Sequence, residues 1–226
     1  MHRRSRFIWP VVLAFVAAVL AGCATGSRTN WLGDERWDHT ERPLGTIVVI
    51  GDSVGYGLTT QGGFTERLSA EGWGPLRSST QLGLHAAPES STDSDTVVRW
   101  IAEIRAMGFN PRVLVVISGA NDVGYPQGHE VSSNVQRIET ALNHIGGIPV
   151  VWTTISHNRP EWMAAWNQAL RDVEARRANL HVCDWAAELA LNPHYLEQDR
   201  VHMTVGPNGG YVAMSGFITA CARAVA

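Results

Sequence analysis

Four short, almost uninterrupted apolar runs set the strongest limit on how this chain folds. They are "TIVVI" (46–50), "RVLVVIS" (112–118), "PVVWTTI" (149–155) and "LHVC" (180–183). A strand with one wet face alternates apolar and polar side chains, and these runs do not, so both of their faces are buried. Helical patterns separate them. "SDTVVRWIAEIRAMG" offers Asp93 or Ser94 as a cap and stops at Gly108, and "EVSSNVQRIETALNHIG" runs to Gly146. "PEWMAAWNQALRDVEARRA" opens on Pro160, a residue suited to a first helical turn, and a last helix covers about 210–225. Strands alternating with helices imply βαβ units and a parallel sheet covered on both faces, the α/β class. Sites in such sheets gather at the carboxyl ends of the strands. Ser53, Asn121, His157 and Asp184 follow the four runs in turn.

At 226 residues, 45% of them hydrophobic and 17% charged, the chain supplies one sizeable domain. It contains no lysine. That absence removes a P-loop lysine, a Schiff-base lysine and a Ser-Lys dyad, so a serine nucleophile here needs another base. The start of the chain reads differently. Arg3, Arg4 and Arg6 precede the uncharged "IWPVVLAFVAAVLAG", which is short for a membrane span and suits an export signal over 1–22. "LAGC" (20–23) resembles the lipobox of bacterial lipoproteins, in which Cys23 becomes the lipidated first residue. Each buried CH₂ of such a lipid adds about 0.8 kcal/mol of membrane affinity. Residues 23–45 are polar and aperiodic and read as a tether, with Trp31 and Trp37 suggesting that part of it lies on the domain at 46–226. The net charge of −3 includes the three leader arginines, so the chain beyond them carries near −6 and offers no basic patch for nucleic acid. Cys183 and Cys221 remain, as a disulfide in an oxidising exterior or as two buried thiols.

"GDSVG" (51–55) closes the first run. Its glycines permit a tight strand-to-helix turn that exposes Ser53, although short Gly-x-Ser-x-Gly patterns also arise in ordinary turns. "DRVH" (199–202) supplies a base and its orienting carboxylate within one loop: Asp199 can fold back onto the His202 imidazole. "SGAND" (118–122) puts the Asn121 amide at a strand end, where it can face a developing oxyanion or cap a turn. The Ser53 N–H and that of a loop glycine, Gly83 in "STQLGLHAA", could complete such a hole. A metal hydrolase on Asp199, His202 and His194 is a weaker pattern, lacking a spacing such as H-E-x-x-H.

From Thr46 to Ala226 the chain resembles the SGNH/GDSL hydrolases, whose blocks occur in order as "GDSV", Gly83, "GAND" and "DRVH". The resemblance implies a three-layer α/β/α sandwich with a central, mainly parallel, flavodoxin-like sheet. It also implies Ser53 as nucleophile, Asp199 and His202 as triad partners, Ser53, Gly83 and Asn121 as oxyanion hole, and no cofactor. An α/β-hydrolase fits less well, because only one strand precedes Ser53 and Asp199 lies beside His202. "TTISHNRPEWMAAWNQALRDV", with Arg159, Pro160, Trp162 and Asn167, and "VCDWAAE" are similar to the SGNH domains of bacterial envelope O-acyltransferases. Two departures stand beside the expected site: Arg200 replaces a commonly small residue, and "HMTVGPNGGY" is longer than usual.

These features point to an exported serine esterase or deacetylase, lipid-anchored to the outer face of a bacterial membrane and acting on an acyl ester of small-molecule, glycan or lipid type. An O-acyltransferase, resolving the same acyl-enzyme with a hydroxyl, and a non-catalytic envelope-binding lipoprotein are the alternatives. Replacing Cys23 by alanine is expected to move the protein from the membrane fraction to the medium, or to leave an unprocessed precursor. Anchoring and processing as before would exclude Cys23 as the anchor.

Overall fold

The computed structural model describes residues 33–88 and 96–226. The leader, Cys23, the start of the tether, and Asp93 and Ser94 lie outside the described residues.

Six strands form one sheet in the order β1-β3-β2-β4-β5-β6. They are β1 (Gly33–Asp38), β2 (Gly45–Gly51), β3 (Trp73–Gln81), β4 (Val113–Ile117), β5 (Val150–Thr153) and β6 (Leu180–Cys183). All neighbours run parallel except β1, which is antiparallel to β3. The helices are α1 (Ser53–Gln61), α2 (Phe64–Ala70), α3 (Val97–Ala106), α4 (Val131–Ile145), α5 (Pro160–Glu174), α6 (Trp185–Leu191) and α7 (Gly210–Ala224).

Alternate residues of the apolar runs feed two cores. Val48, Ile50, Leu114, Val116 and Trp152 face one way, onto α3, α4 and α5. Ile47, Val49, Val113, Val115 and Val151 face the other way, onto α1, α2, α6 and α7. This is the expected three-layer α/β/α sandwich, and its parallel part has the flavodoxin-like order. After β3 the chain crosses back over β2 to form β4, so a crevice opens at the carboxyl end of β2.

Two strands escape the apolar pattern. In β3 the run Arg77, Ser78, Ser79, Thr80 and Gln81 is polar yet buried. The Arg77 guanidinium, 1% exposed, reaches Glu35 of β1 at 3.1 Å and Ser79 Oγ at 3.2 Å, and lies 4.2 Å over the Trp37 ring. β1 is the covering strand that makes this burial tolerable. The tether expected over 23–45 is therefore too long: residues 33–38 are the sheet's edge, and Trp37 packs there. The cap of α3 is Thr96, whose side chain accepts from Arg99 N–H at 3.2 Å.

Cys183, at the end of β6, and Cys221, in α7, form a disulfide that closes 38 residues. Constraining a loop of that length in the unfolded chain stabilises the fold by roughly 2–4 kcal/mol. Cys221→Ser should lose about that much in a denaturant titration, and wild type should lose it on reduction. Equal midpoints would mean that the link contributes nothing.

Candidate active site

Asp52 turns β2 into α1. It is 1% exposed, its N–H donates to Ile117 O at 2.8 Å, and its side chain caps the helix by accepting from Val54 N–H at 2.9 Å. A Cβ on Gly51 would lie 2.8 Å from the Gly55 Cα, so the elbow closes only with glycine at this position. Ser53 is thus the first residue of α1, with an N–H that has no partner inside the helix. Burial pushes the Asp52 carboxyl up to about 6, against the N–H groups of Val54, Gly55 and Ala120 and the charge of His202.

The loop before α7 brings up the other partners. His202 Nε2 stands 2.9 Å from Ser53 Oγ, and Nδ1 stands 2.7 Å from Asp199 Oδ2. With the Nδ1 proton on the carboxylate side, Nε2 is free to accept the serine proton. The other oxygen of Asp199 accepts from the N–H groups of Val201 and His202, both at 2.9 Å. Partial burial acts upward on the Asp199 carboxyl, yet these hydrogen bonds hold it down to about 2, so it is ionised throughout the physiological range.

Gly83 and Asn121 follow β3 and β4, on loops that meet. Asn121 Nδ2 donates to Leu84 O at 3.1 Å, leaving its second N–H for another acceptor. Gly83 has φ +76° and open space where a side chain would be, so a left-handed turn presents bare backbone there. Asp122, fully buried, accepts from Ala86 N–H with both carboxylate oxygens, at 3.0 and 3.1 Å. The pair Asn121 and Asp122 therefore grips the Gly83 loop at two points. Asp122 is a contribution the sequence reading missed, although it stands inside the quoted "SGAND".

Asn167, named in the sequence only through the resemblance, proves to hold a loop as well. From the buried face of α5 it donates to Ile155 O and accepts from Ile155 N–H, both at 2.9 Å, fixing the loop after β5. The other strand-end residues do not join Ser53. Asp184 caps α6 and pairs with Arg171 at 2.8 Å, while His157 lines a groove described below. Asp199, His202 and His194 do not converge on a metal position among the described residues.

A serine hydroxyl, an imidazole and a carboxylate joined by hydrogen bonds at the switch point of an α/β sheet define the serine hydrolase class. Residues 49–205 match the GDSL-like lipase/acylhydrolase family, and the chain belongs to that family, an SGNH-type serine hydrolase acting on ester bonds. No curated protein matches the chain in sequence. Among solved structures, the fold is similar to the C-terminal catalytic domain of the peptidoglycan O-acetyltransferase A of Streptococcus pneumoniae (TM-score 0.60, 14% identity, 80% of this chain and 93% of that one). It is also similar to a lipase/acylhydrolase from Enterococcus faecalis (0.59, 20%, 79% and 95%). A carbohydrate esterase family 3 member from Talaromyces cellulolyticus is a third (0.54, 17%, 80% and 97%).

Burial pushes the Asp122 carboxyl up to about 7, helped by the Asp52 charge and opposed by Ala86 N–H and the Arg137 charge. A folded-state value above the unfolded one stabilises the protein at low pH, and that contribution is lost as pH rises towards 7. Asp122→Asn removes the titration. Relative to wild type, this variant should gain at least about 1 kcal/mol between pH 4.5 and 7.5 in denaturant titrations. A difference independent of pH would show that Asp122 does not titrate in this range.

Proposed function

We propose that the protein is an exported esterase or deacetylase that works through an acyl-enzyme on Ser53. The observation that carries this reading is the unbroken chain from Asp199 Oδ2 to His202 Nδ1 and from His202 Nε2 to Ser53 Oγ. His202 takes the serine proton as Oγ attacks the ester carbonyl. The developing oxyanion accepts from the N–H groups of Ser53 and Gly83 and from the free amide N–H of Asn121. Asp199 stabilises the imidazolium, which then gives its proton to the leaving alkoxide. Water, deprotonated by His202, releases the acid and restores Ser53. The basic leader with "LAGC" and the Cys183–Cys221 disulfide support an oxidising, extracytoplasmic setting with Cys23 as the lipid anchor. Transfer to a glycan or lipid hydroxyl is the alternative fate of the same acyl-enzyme. A purely binding role sits poorly with a complete triad.

A fluorophosphonate should label the wild-type protein without added metal. Ser53→Ala should take no label and lose about 10⁴-fold or more in turnover of an aryl acetate. Asn121→Ala should keep the label and lose roughly 10²–10³ in kcat with little change in KM. Near-normal turnover by Ser53→Ala would refute the nucleophile, and an effect of Asn121→Ala on KM alone would remove it from the oxyanion hole.

A further inference from the structure

A groove of about 360 Å³, within the usual size range of a small-molecule site, is lined by Arg200 of the loop that carries Asp199 and His202. Its walls come from the loop after β5, from α5 and α6, and from the 193–200 segment. Pro160, Met163, Ala190 and Leu196 make it largely apolar, and His157 and Arg200 are its ionisable lining residues. Burial and then the Arg159 charge lower the His157 pKa, so that imidazole is neutral at pH 7. No carboxylate lines the groove among the described residues. Three nearby acids are engaged elsewhere, Asp199 on His202, Asp184 on Arg171 and Glu188 on the Asn192 amide, while the carboxylate of Glu197 in the 193–200 segment is exposed and does not line the groove. The Arg200 guanidinium has no ion-pair partner among the described residues, and it is the cation among the groove's lining residues, since the neighbouring Arg159 guanidinium lies 4.4 Å over the Trp162 ring.

Arg200 also has a conformation that argues for its side chain. Its φ is +61°, and it is the sole non-glycine with positive φ among the described residues. The turn that seats Asp199 imposes this. Arg200 N–H donates to Glu197 O at 3.0 Å, and Asp199 Oδ1 holds the next two N–H groups. Glycine would occupy the position without strain. An arginine there adds a cation to the groove's lining at a cost in backbone strain that glycine would not carry.

The sheet order says which half of an ester this side receives. Gly83 and Asn121 follow β3 and β4, whereas the groove is built beyond β5 and β6. Ser156 lines both the groove and a small cavity walled by Asp52, Val54 and Val201, the chain neighbours of Ser53 and His202, and its hydroxyl donates to Arg200 O at 2.8 Å. The leaving oxygen must lie against His202 to collect its proton, and His202 is carried by the same loop as Arg200. We propose that the groove takes the alcohol half of the ester, and that Arg200 selects alcohols bearing a carboxylate or phosphate. This rests on the triad reading above. The guanidinium fork matches either anion, while the apolar walls cover the carbon skeleton that carries it.

The test compares 3-carboxyphenyl acetate with neutral 3-carbamoylphenyl acetate, which share an acyl group and differ in charge. Wild type should favour the anionic ester by roughly 10- to 100-fold in kcat/KM, mostly through KM. Arg200→Gly should bring that ratio to near one while raising the melting temperature, and Arg200→Lys should keep part of the preference. A wild type that does not discriminate, or an Arg200→Gly variant that discriminates as before, overturns the proposal. So does an Arg200→Gly variant that loses the same factor on both esters, because Arg200 would then serve the loop alone. Turnover of either ester by Ser53→Ala would fail the triad reading instead, and the two failures are separable in one set of assays.

Discussion

Asp52 ties together the three elements that meet beneath the nucleophile. Its backbone N–H binds the last carbonyl of β4, its side chain caps α1, and its own position ends β2. A buried carboxylate here satisfies helix N–H groups that would otherwise be orphaned inside the molecule. Because the same residue closes the sheet and starts the helix, Ser53 is held by the core on both sides. The hydroxyl then has little freedom, and its hydrogen bond to His202 is a property of the fold as much as of the loop.

Around that fixed point the loops are held pairwise. Asn121 and Asp122 hold the Gly83 loop, Asn167 holds the loop after β5, and Ser156 holds the carbonyl of Arg200. Each of these joins a side chain of one loop or helix to the backbone of the next. Side chains alone would leave the loops free to shift by a fraction of an ångström, enough to spoil an oxyanion hole. Joining them through the backbone fixes the N–H groups that such a hole needs.

The other end of the sheet shows a different economy. Arg77 is buried in a strand of serines and threonines, and it is tolerated because β1 brings Glu35 and Trp37 to it. A lone buried cation would be destabilising by several kcal/mol. The edge strand thus has two roles: it covers the edge of β3 and it neutralises Arg77.

The sequence alone determined β2, β4 and β5, because a doubly buried strand must be apolar along its whole length; β6 was legible as a strand too, but as the sheet's other edge it leaves His181 exposed and Val182 half-buried, so it is not buried on both faces as expected. It also determined the long helices α3, α4, α5 and α7, whose periodicity and stops are local signals. Ser53, Asp199 and His202 were legible because each sits in a short motif whose chemistry depends on near neighbours in the chain, whereas the roles of Gly83 and Asn121 were assigned through the resemblance, and the structure brings their loops together. β3 was not legible, since its polar residues are buried by partners from β1 that are distant in sequence. Nor was the grip of Asp122 on Ala86, 36 residues away, or the disulfide, for which the sequence offered two cysteines without their separation. Arg200 appeared in the sequence only as an oddity beside the histidine. Tertiary structure alone decided that its backbone is left-handed and that its side chain belongs to a groove, because both follow from hydrogen bonds and walls supplied by segments far apart in the chain.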